Sequence, residues 1–453
     1  MNFPLSTQLS RRQLLKAMGV GLALTACAPT APPAADAPAA AGGAADSPAA
    51  AATTVSLMYN SGEISMEELE IFTDEYGYEV EFMETDLTKL FASLAAGNAI
   101  DCFRIYGTNS PALAARGIPL DLTDYFNASS IVPVDELLPV NDLFVVDGKR
   151  YGMVKDWSPD YSIYVNKKLW DEAGVEIPDP TQSLHYTEWR ELSPKLTTQE
   201  GDRTLVFGTD FEPNENVLFW ISTTYEQPTH LFSEDFSQVA LSSNPQTMEF
   251  INFWIDWMKE GGIPGPVRPF ITDWSGQDWV QGQAATVQWG YWFSGMAQSD
   301  QVAGDDILMM RAPTWGPSYS NPCATGCGMM VASVTKIPDV AWKMFEWFMG
   351  ELPAENRAKS GWGVPGLTRH LELMPREEPW RQHNYDMVQW EIENTAVPVI
   401  EFSPYLTPDA FKATWAKFLE PTVKGEMTVD EMVANMESEI NVAIREGMDR
   451  VGA

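Results

Sequence analysis

The residues of this chain best suited to chemistry are aromatics, amides and carboxylates placed just after apolar, strand-like runs. Asn60 and Glu63 follow the run that begins at Thr54, and Tyr106 and Asn109 close the run that begins at Ile100. Glu212 and Asn214 follow a run starting at Thr204; Trp289, Tyr291 and Trp292 follow one starting at Thr286. Trp157 and Asp160 precede the run at Tyr161, and Trp362 sits in a loop flanked by glycines. In open α/β sheets, ligands bind beyond the carboxyl ends of strands. Flat rings beside amides and acids suit a pyranose, whose C–H faces stack on rings and whose hydroxyl rim pairs with Asn, Asp and Glu. Most of the 17 tryptophans have a structural role. Trp254, Trp342, Trp347 and Trp415 recur at helical spacing and read as core.

The elements that must position these groups alternate. A strand at 54–59 is followed by a helix that Ser65 and Glu68 open as a capping box and Gly77 ends. A strand at 78–83, a helix at 87–96, a strand at 100–106 and a helix opened by Ser110-Pro111 continue the pattern. Such alternation predicts a mostly parallel sheet with helices on both faces. Asp147-Gly148 between apolar runs predicts a tight turn, then a strand at 150–154, an aromatic loop at 155–160, a second strand at 161–166 and a helix stopped by Gly174. Later helices are expected at 245–259, 340–349 and 428–448, the last with a box from Thr428 to Glu431.

The N-terminus reads as an address. Ser10-Arg11-Arg12 through Lys16 precedes an apolar run at 17–26 that is too short to span a bilayer, and Leu24-Thr25-Ala26-Cys27 follows. The first part is similar to a twin-arginine export signal and the second to a lipobox. Together they imply cleavage after residue 26 and lipidation of Cys27. Residues 28–52 are almost all Ala, Pro, Gly, Asp, Ser and Thr, the composition of a flexible tether. Residues 53–453 are too many for one small core and suit two lobes.

The formal charge is −34, and removing the three positive charges of residues 1–26 leaves −37. That acidity argues against nucleic acid and anionic lipid as partners. Cys323 and Cys327, in C-A-T-G-C, read as a short-loop disulfide in an exported chain. Zinc needs more ligands than two cysteines, and the four histidines are scattered, so no metal is expected; Cys102 reads as a buried thiol. No dinucleotide, P-loop, nucleophile-elbow or zincin motif is present, nor a haem or iron–sulfur cysteine pattern.

The stretch D-G-K-R-Y-G-M-V at 147–154, followed by Y-V-N-K-K-L-W-D-E-A-G at 164–174, resembles a D-G-K-x-Y-x-x-P … Y-N-K-x-L-x-x-x-G pattern, with Val154 at the proline position. That pattern belongs to family 1 extracellular solute-binding proteins, the carbohydrate receptors of ABC importers. L-T-K-L-F-A-S-L-A-A-G-N-A-I-D at 87–101 and W-V-Q-G-Q-A-A-T-V-Q-W-G at 279–290 are similar to further stretches of the same family, in the same order. The resemblance implies a two-lobed α/β fold of the periplasmic-binding-protein kind. Lobe 1 is expected at 53–157 and 303–350, lobe 2 at 158–302 and 351–453, with crossings near 157, 302 and 350. It also implies that Trp292, in W-G-Y-W, and Glu212-Pro213 line the cleft. The expected protein is a monomeric, lipid-anchored, extracytoplasmic receptor that binds a sugar or oligosaccharide, uses no cofactor, performs no reaction and docks on membrane permease subunits. A receptor for another solute (a polyamine, an iron chelate, a phosphate ester) remains the alternative, followed by an exported glycoside hydrolase and an exported oxidoreductase.

Overall fold

A computed structural model describes residues 53–98, 100–225, 231–396 and 398–453. The export signal, the lipidation of Cys27 and the tether lie outside the described residues. Two sheets organise the rest. The first has the strands β1 (Thr54–Tyr59), β2 (Glu79–Glu84), β3 (Cys102–Tyr106), β4 (Gly152–Trp157), β8 (Cys327–Val331) and β9 (Val364–Pro365) in the order β9-β4-β8-β3-β1-β2. The second contains β5 (Ile163–Asn166), β6 (Thr286–Gln288) and β7 (Ile307–Met310) in the order β6-β5-β7.

β1 runs parallel to β2 and β3, as the alternation predicts. β8 then returns antiparallel between β3 and β4, and β9 is antiparallel to β4. The second sheet is antiparallel throughout. The expectation of a mostly parallel sheet therefore holds only for the first strands. β8 and β9 arrive from distant parts of the chain, so no local helical crossover fixes their direction.

Two strand pairings cut across the expected lobe segments. β7 falls in the segment assigned to lobe 1, yet it pairs with β5 from Ile307↔Asn166 to Met310↔Ile163 in the second sheet. β9 falls in the segment assigned to lobe 2, yet Val364 pairs with Trp157 in the first sheet.

Local signals mostly hold. Ser65 and Glu68 form a reciprocal capping box on α1 (Met66–Tyr76), and Thr428 and Glu431 form another on the closing helix Val429–Val451. Asp147 and Gly148 both adopt positive φ, 50° and 74°, the two-residue turn that matches strand twist. β4 runs on to Trp157, so the first half of the segment expected as an aromatic loop, 155–157, is strand. Lys155 and Asp156 are buried there because their charges find partners beneath the sheet. The strand expected at Thr204 forms instead half of a hairpin, Thr198–Glu200 with Arg203–Val206; beyond it, only isolated bridges Phe207↔Ala284 and Asp210↔Val287 tie the chain to β6.

One face of the first sheet packs Val55, Leu57 and Tyr59 under α2 (Pro338–Gly350), with Trp342 and Trp347. The opposite face, with Met58, Phe103 and Met330, shares a continuous core with Tyr164, Val287 and Met309 of the second sheet. The other face of the second sheet, with Ile163 and Val165, packs on the aromatic helix Pro245–Lys259 and on the C-terminal helices. Trp254 and Trp415 are buried here, as their spacing predicts.

Cys323 and Cys327 are both free, against the expected disulfide. Cys323 packs in the core shared with the second sheet, whereas Cys327 opens β8 with its side chain in the core under the helix Pro338–Gly350. Cys323 lies in the loop before β8 and is bridged to Val399, so the two thiols sit in different cores. Cys102 is a buried thiol whose Sγ donates to the Ala341 carbonyl at 3.3 Å.

Candidate functional site

A cavity of about 390 Å³ opens where the ends of β3 and β6 meet the Glu212 loop and the first turn of the helix Pro408–Val423. Seven residues expected from the sequence line it: Tyr106, Asn109, Asp160, Glu212, Asn214, Trp289 and Trp292. The bridge between Asp210 and Val287 explains how Glu212 reaches the end of β6 without a regular strand. A second hollow, of about 870 Å³, is lined mainly by apolar side chains such as Ala114, Leu143, Val399 and Phe402 and has no tryptophan. The smaller cavity alone combines stacked rings with convergent polar groups, the usual make-up of a small-molecule site.

Its aromatic wall is a cluster. Trp289 and Trp292 have ring centroids 5.0 Å apart, Trp274 lies 5.5 Å from Trp289, and Trp274 stacks on Trp292 at 6.3 Å and 19°. All three rings are half-buried, so each keeps a free face or edge. Gly290 allows the turn: a Cβ there would meet Ser158 Oγ at 2.1 Å and Asp160 Oδ1 at 2.7 Å. The polar wall is locked to the aromatic one. Ser275 donates from its N and Oγ to Glu212 Oε1, at 3.1 and 2.8 Å, and accepts from Trp289 Nε1 at 3.0 Å.

Burial sets the protonation of this wall. It pushes the Asp160 carboxyl up to about 6, despite hydrogen bonds from Ala324 N and Ser158 Oγ at 2.7 and 2.8 Å. It raises Glu212 and Glu215 as well. Asp210, fully buried behind Glu212, is raised most strongly, by burial first and then by the Asp278 charge. Asp278 accepts from Ile271 N and Thr272 N at 2.9 and 2.6 Å, which ties the loop before the tryptophan wall to this acid.

Five expected residues lie outside the cavity. Asn60 donates to Glu63 at 2.7 Å, and Glu63 pairs with Arg104 at 2.9 Å and Arg357 at 3.7 Å. Arg357 also pairs with Asp156 at 2.9 Å. Burial opposes ionisation of Glu63, but Arg104, Arg357 and Lys155 outweigh it and hold its carboxyl below the usual range. Glu63 is thus a strut for α1 and β4. Glu63, Asp156 and Cys327 come close enough to hold a metal, yet the two carboxylates are already neutralised by guanidinium groups. Trp157 and Tyr291 are core, 9% and 1% exposed. Trp362 is not in the lining; its ring lies 5.7 Å from that of Trp292, and the Arg357 guanidinium lies over it at 4.7 Å.

Trp274, Glu215, Gln288, Tyr161, Thr108, Thr325, Asp409 and Lys412 line the cavity without having been singled out from the sequence. Glu215 lies one residue beyond the expected Asn214. Asp409 and Lys412 are brought in by a helix some 200 positions later in the chain, and no local pattern marks them.

Comparison with known proteins bears on the fold and the family. The chain is 20% identical, with a TM-score of 0.74, to an ABC substrate-binding protein of Listeria monocytogenes in complex with cycloalternan, over 87% of this chain and 99% of that one. It is 16% identical, with a TM-score of 0.69, to an ABC transporter associated binding protein of B. animalis subsp. lactis in complex with β-1,6-galactobiose, over 87% and 98%. At these identities the likeness establishes the two-lobed fold. The chain is also 30% identical over 112 residues to the diacetylchitobiose binding protein DasA of Streptomyces coelicolor, a match to 24% of this chain and 25% of that protein. No helix among the described residues is long and apolar enough to cross a membrane. Residues 34–351 match the family described as bacterial extracellular solute-binding protein, and the chain belongs to that family.

Proposed function

We propose that this protein is the receptor of an ABC importer, and that it binds a sugar or oligosaccharide between its lobes and delivers it to membrane permease subunits. The observation that carries this reading is the wall of Trp274, Trp289 and Trp292 facing Glu212, Asn214 and Asn109 across one cavity. Rings offer stacking surface to the C–H faces of a pyranose, and the acids and amides accept from its hydroxyls. Ligand bridging the lobes stabilises a closed form by hinge motion, and the closed form docks on the permease as a monomer. No reaction follows. Ligand that binds only the native state raises the melting midpoint; at 100 times Kd the gain is about 2.7 kcal/mol. A thermal-shift screen against mono- and oligosaccharides should therefore find a sugar that raises the midpoint and is recovered intact. No shift with any sugar, or recovery of a cleaved product at catalytic protein concentration, would refute the reading.

The export and anchoring of this receptor rest on the N-terminal signals: the twin-arginine route, then lipidation of Cys27 with the mature chain starting there. More than one acyl chain is needed for stable attachment. Cys27→Ala should move the protein from the membrane to the soluble fraction, and unchanged attachment would remove the anchor from the proposal.

A further inference from the structure

The cavity is lined by four carboxylates, Asp160, Glu212, Glu215 and Asp409, against one lysine. Several of its donors are occupied within the wall: Trp289 Nε1 by Ser275, Tyr161 Oη by the Asn216 carbonyl at 2.8 Å, and Gln288 Nε2 by the Tyr161 carbonyl and Tyr186 Oη at 3.1 and 2.7 Å. The acceptors are left over. Asn109 is 3% exposed and its Oδ1 has no partner. Glu212 holds Ser275 with Oε1 alone, leaving Oε2. Glu215 is 6% exposed, and among the described residues neither it nor Glu212, Asp160 or Asp409 makes an ion pair. The one lysine of the lining, Lys412, is exposed, one helical turn from Asp409.

A carboxylate taken out of water without a cation is costly, and a partner cation relieves that cost. An ammonium group brings three donors and no acceptor, which complements this surplus. We propose that the cavity selects a sugar carrying a protonated amino group, with Glu215 and Glu212 as its counter-ions. This rests on the sugar reading above and narrows it. The tryptophan wall takes the ring face, and the acids take the amine. The groups facing Glu215 are Lys412, Asp409 and Glu212; those facing Glu212 are Lys412, Asp278, Asp210 and Glu215. Burial raises both glutamates, the state that a bound cation would reverse.

The test is titration calorimetry at pH 7 with three matched β-1,4 disaccharides: glucosamine with free amines, its N-acetylated form, and the glucose form. The free-amine member should bind at least about tenfold more tightly than either neutral member, a difference of about 1.4 kcal/mol. Glu215→Gln should shrink that margin. In the unaltered protein the margin should also narrow as the pH falls, because glutamates with raised pKa take up protons earlier than ordinary ones. Equal or tighter binding of a neutral member, or of a glucuronate disaccharide drawn to Lys412, would overturn the amine preference and leave the sugar reading standing. A margin unchanged at low pH would overturn the role of the two glutamates. Binding of spermidine but of no saccharide would overturn both.

Discussion

Arg357→Met should destabilise the fold by about 3–5 kcal/mol, the range for breaking a buried ion pair from one side. Arg357 is 8% exposed and pairs with Asp156 at 2.9 Å, with Glu63 at 3.7 Å, and lies over the Trp362 ring. Its loss leaves the Asp156 carboxylate buried beside a second acid. Glu63 keeps Arg104, so the damage concentrates on Asp156. The double variant Arg357→Met, Asp156→Leu should recover much of the loss, since replacing both partners with apolar groups leaves no uncompensated charge. Urea unfolding of the single and double variants measures this. A single variant within about 1 kcal/mol of the parent, the value of an exposed pair, would mean that solvent reaches the network. The same variant probes the site from behind. Trp362 touches both Arg357 and Trp292, so a displaced Trp362 would lower sugar affinity without any change of a lining residue.

Trp292→Ala should weaken sugar binding by about 5- to 150-fold, corresponding to roughly 1–3 kcal/mol of lost stacking and shielded surface. The ring is half-buried, so the fold should tolerate its loss better than that of Trp254, which is fully buried in the helix Pro245–Lys259. Trp254→Ala should cost about 3–5 kcal/mol of stability by leaving a cavity in the core. Calorimetry with sugar and melting without it separate the two roles. A large fall in melting temperature with affinity unchanged would make Trp292 a core residue, and the aromatic wall would then need another explanation.

Four of the five expected residues outside the cavity are held there by neighbours from other parts of the chain. Glu63 and Asn60 follow β1 as Tyr106 and Asn109 follow β3, and the sequence offers no reason to separate them. Arg104 separates them: it sits mid-strand in β3 and draws Glu63 into an ion pair away from the cavity. Trp157 and Tyr291 were credible ring donors by type and position, but both point into the core shared by the two sheets. Whether a strand-end ring faces ligand or core depends on its neighbours across the sheet, which come from other parts of the chain.

The sequence by itself determined the local structure and the family. Caps at Ser65 and Thr428, the turn at Asp147-Gly148 and the order of motifs from residue 87 to residue 290 are written in short stretches, because each depends on interactions between near neighbours. It also determined seven of the cavity residues, since the ends of strands are where open α/β sheets bind. Only the tertiary structure decided which sheet β7 and β9 join, the separation of Cys323 from Cys327, and the arrival of Trp274, Asp409 and Lys412 at the cavity. Those outcomes depend on pairings between segments far apart in the chain, where strand register and the burial of charge, rather than local propensity, choose the partner.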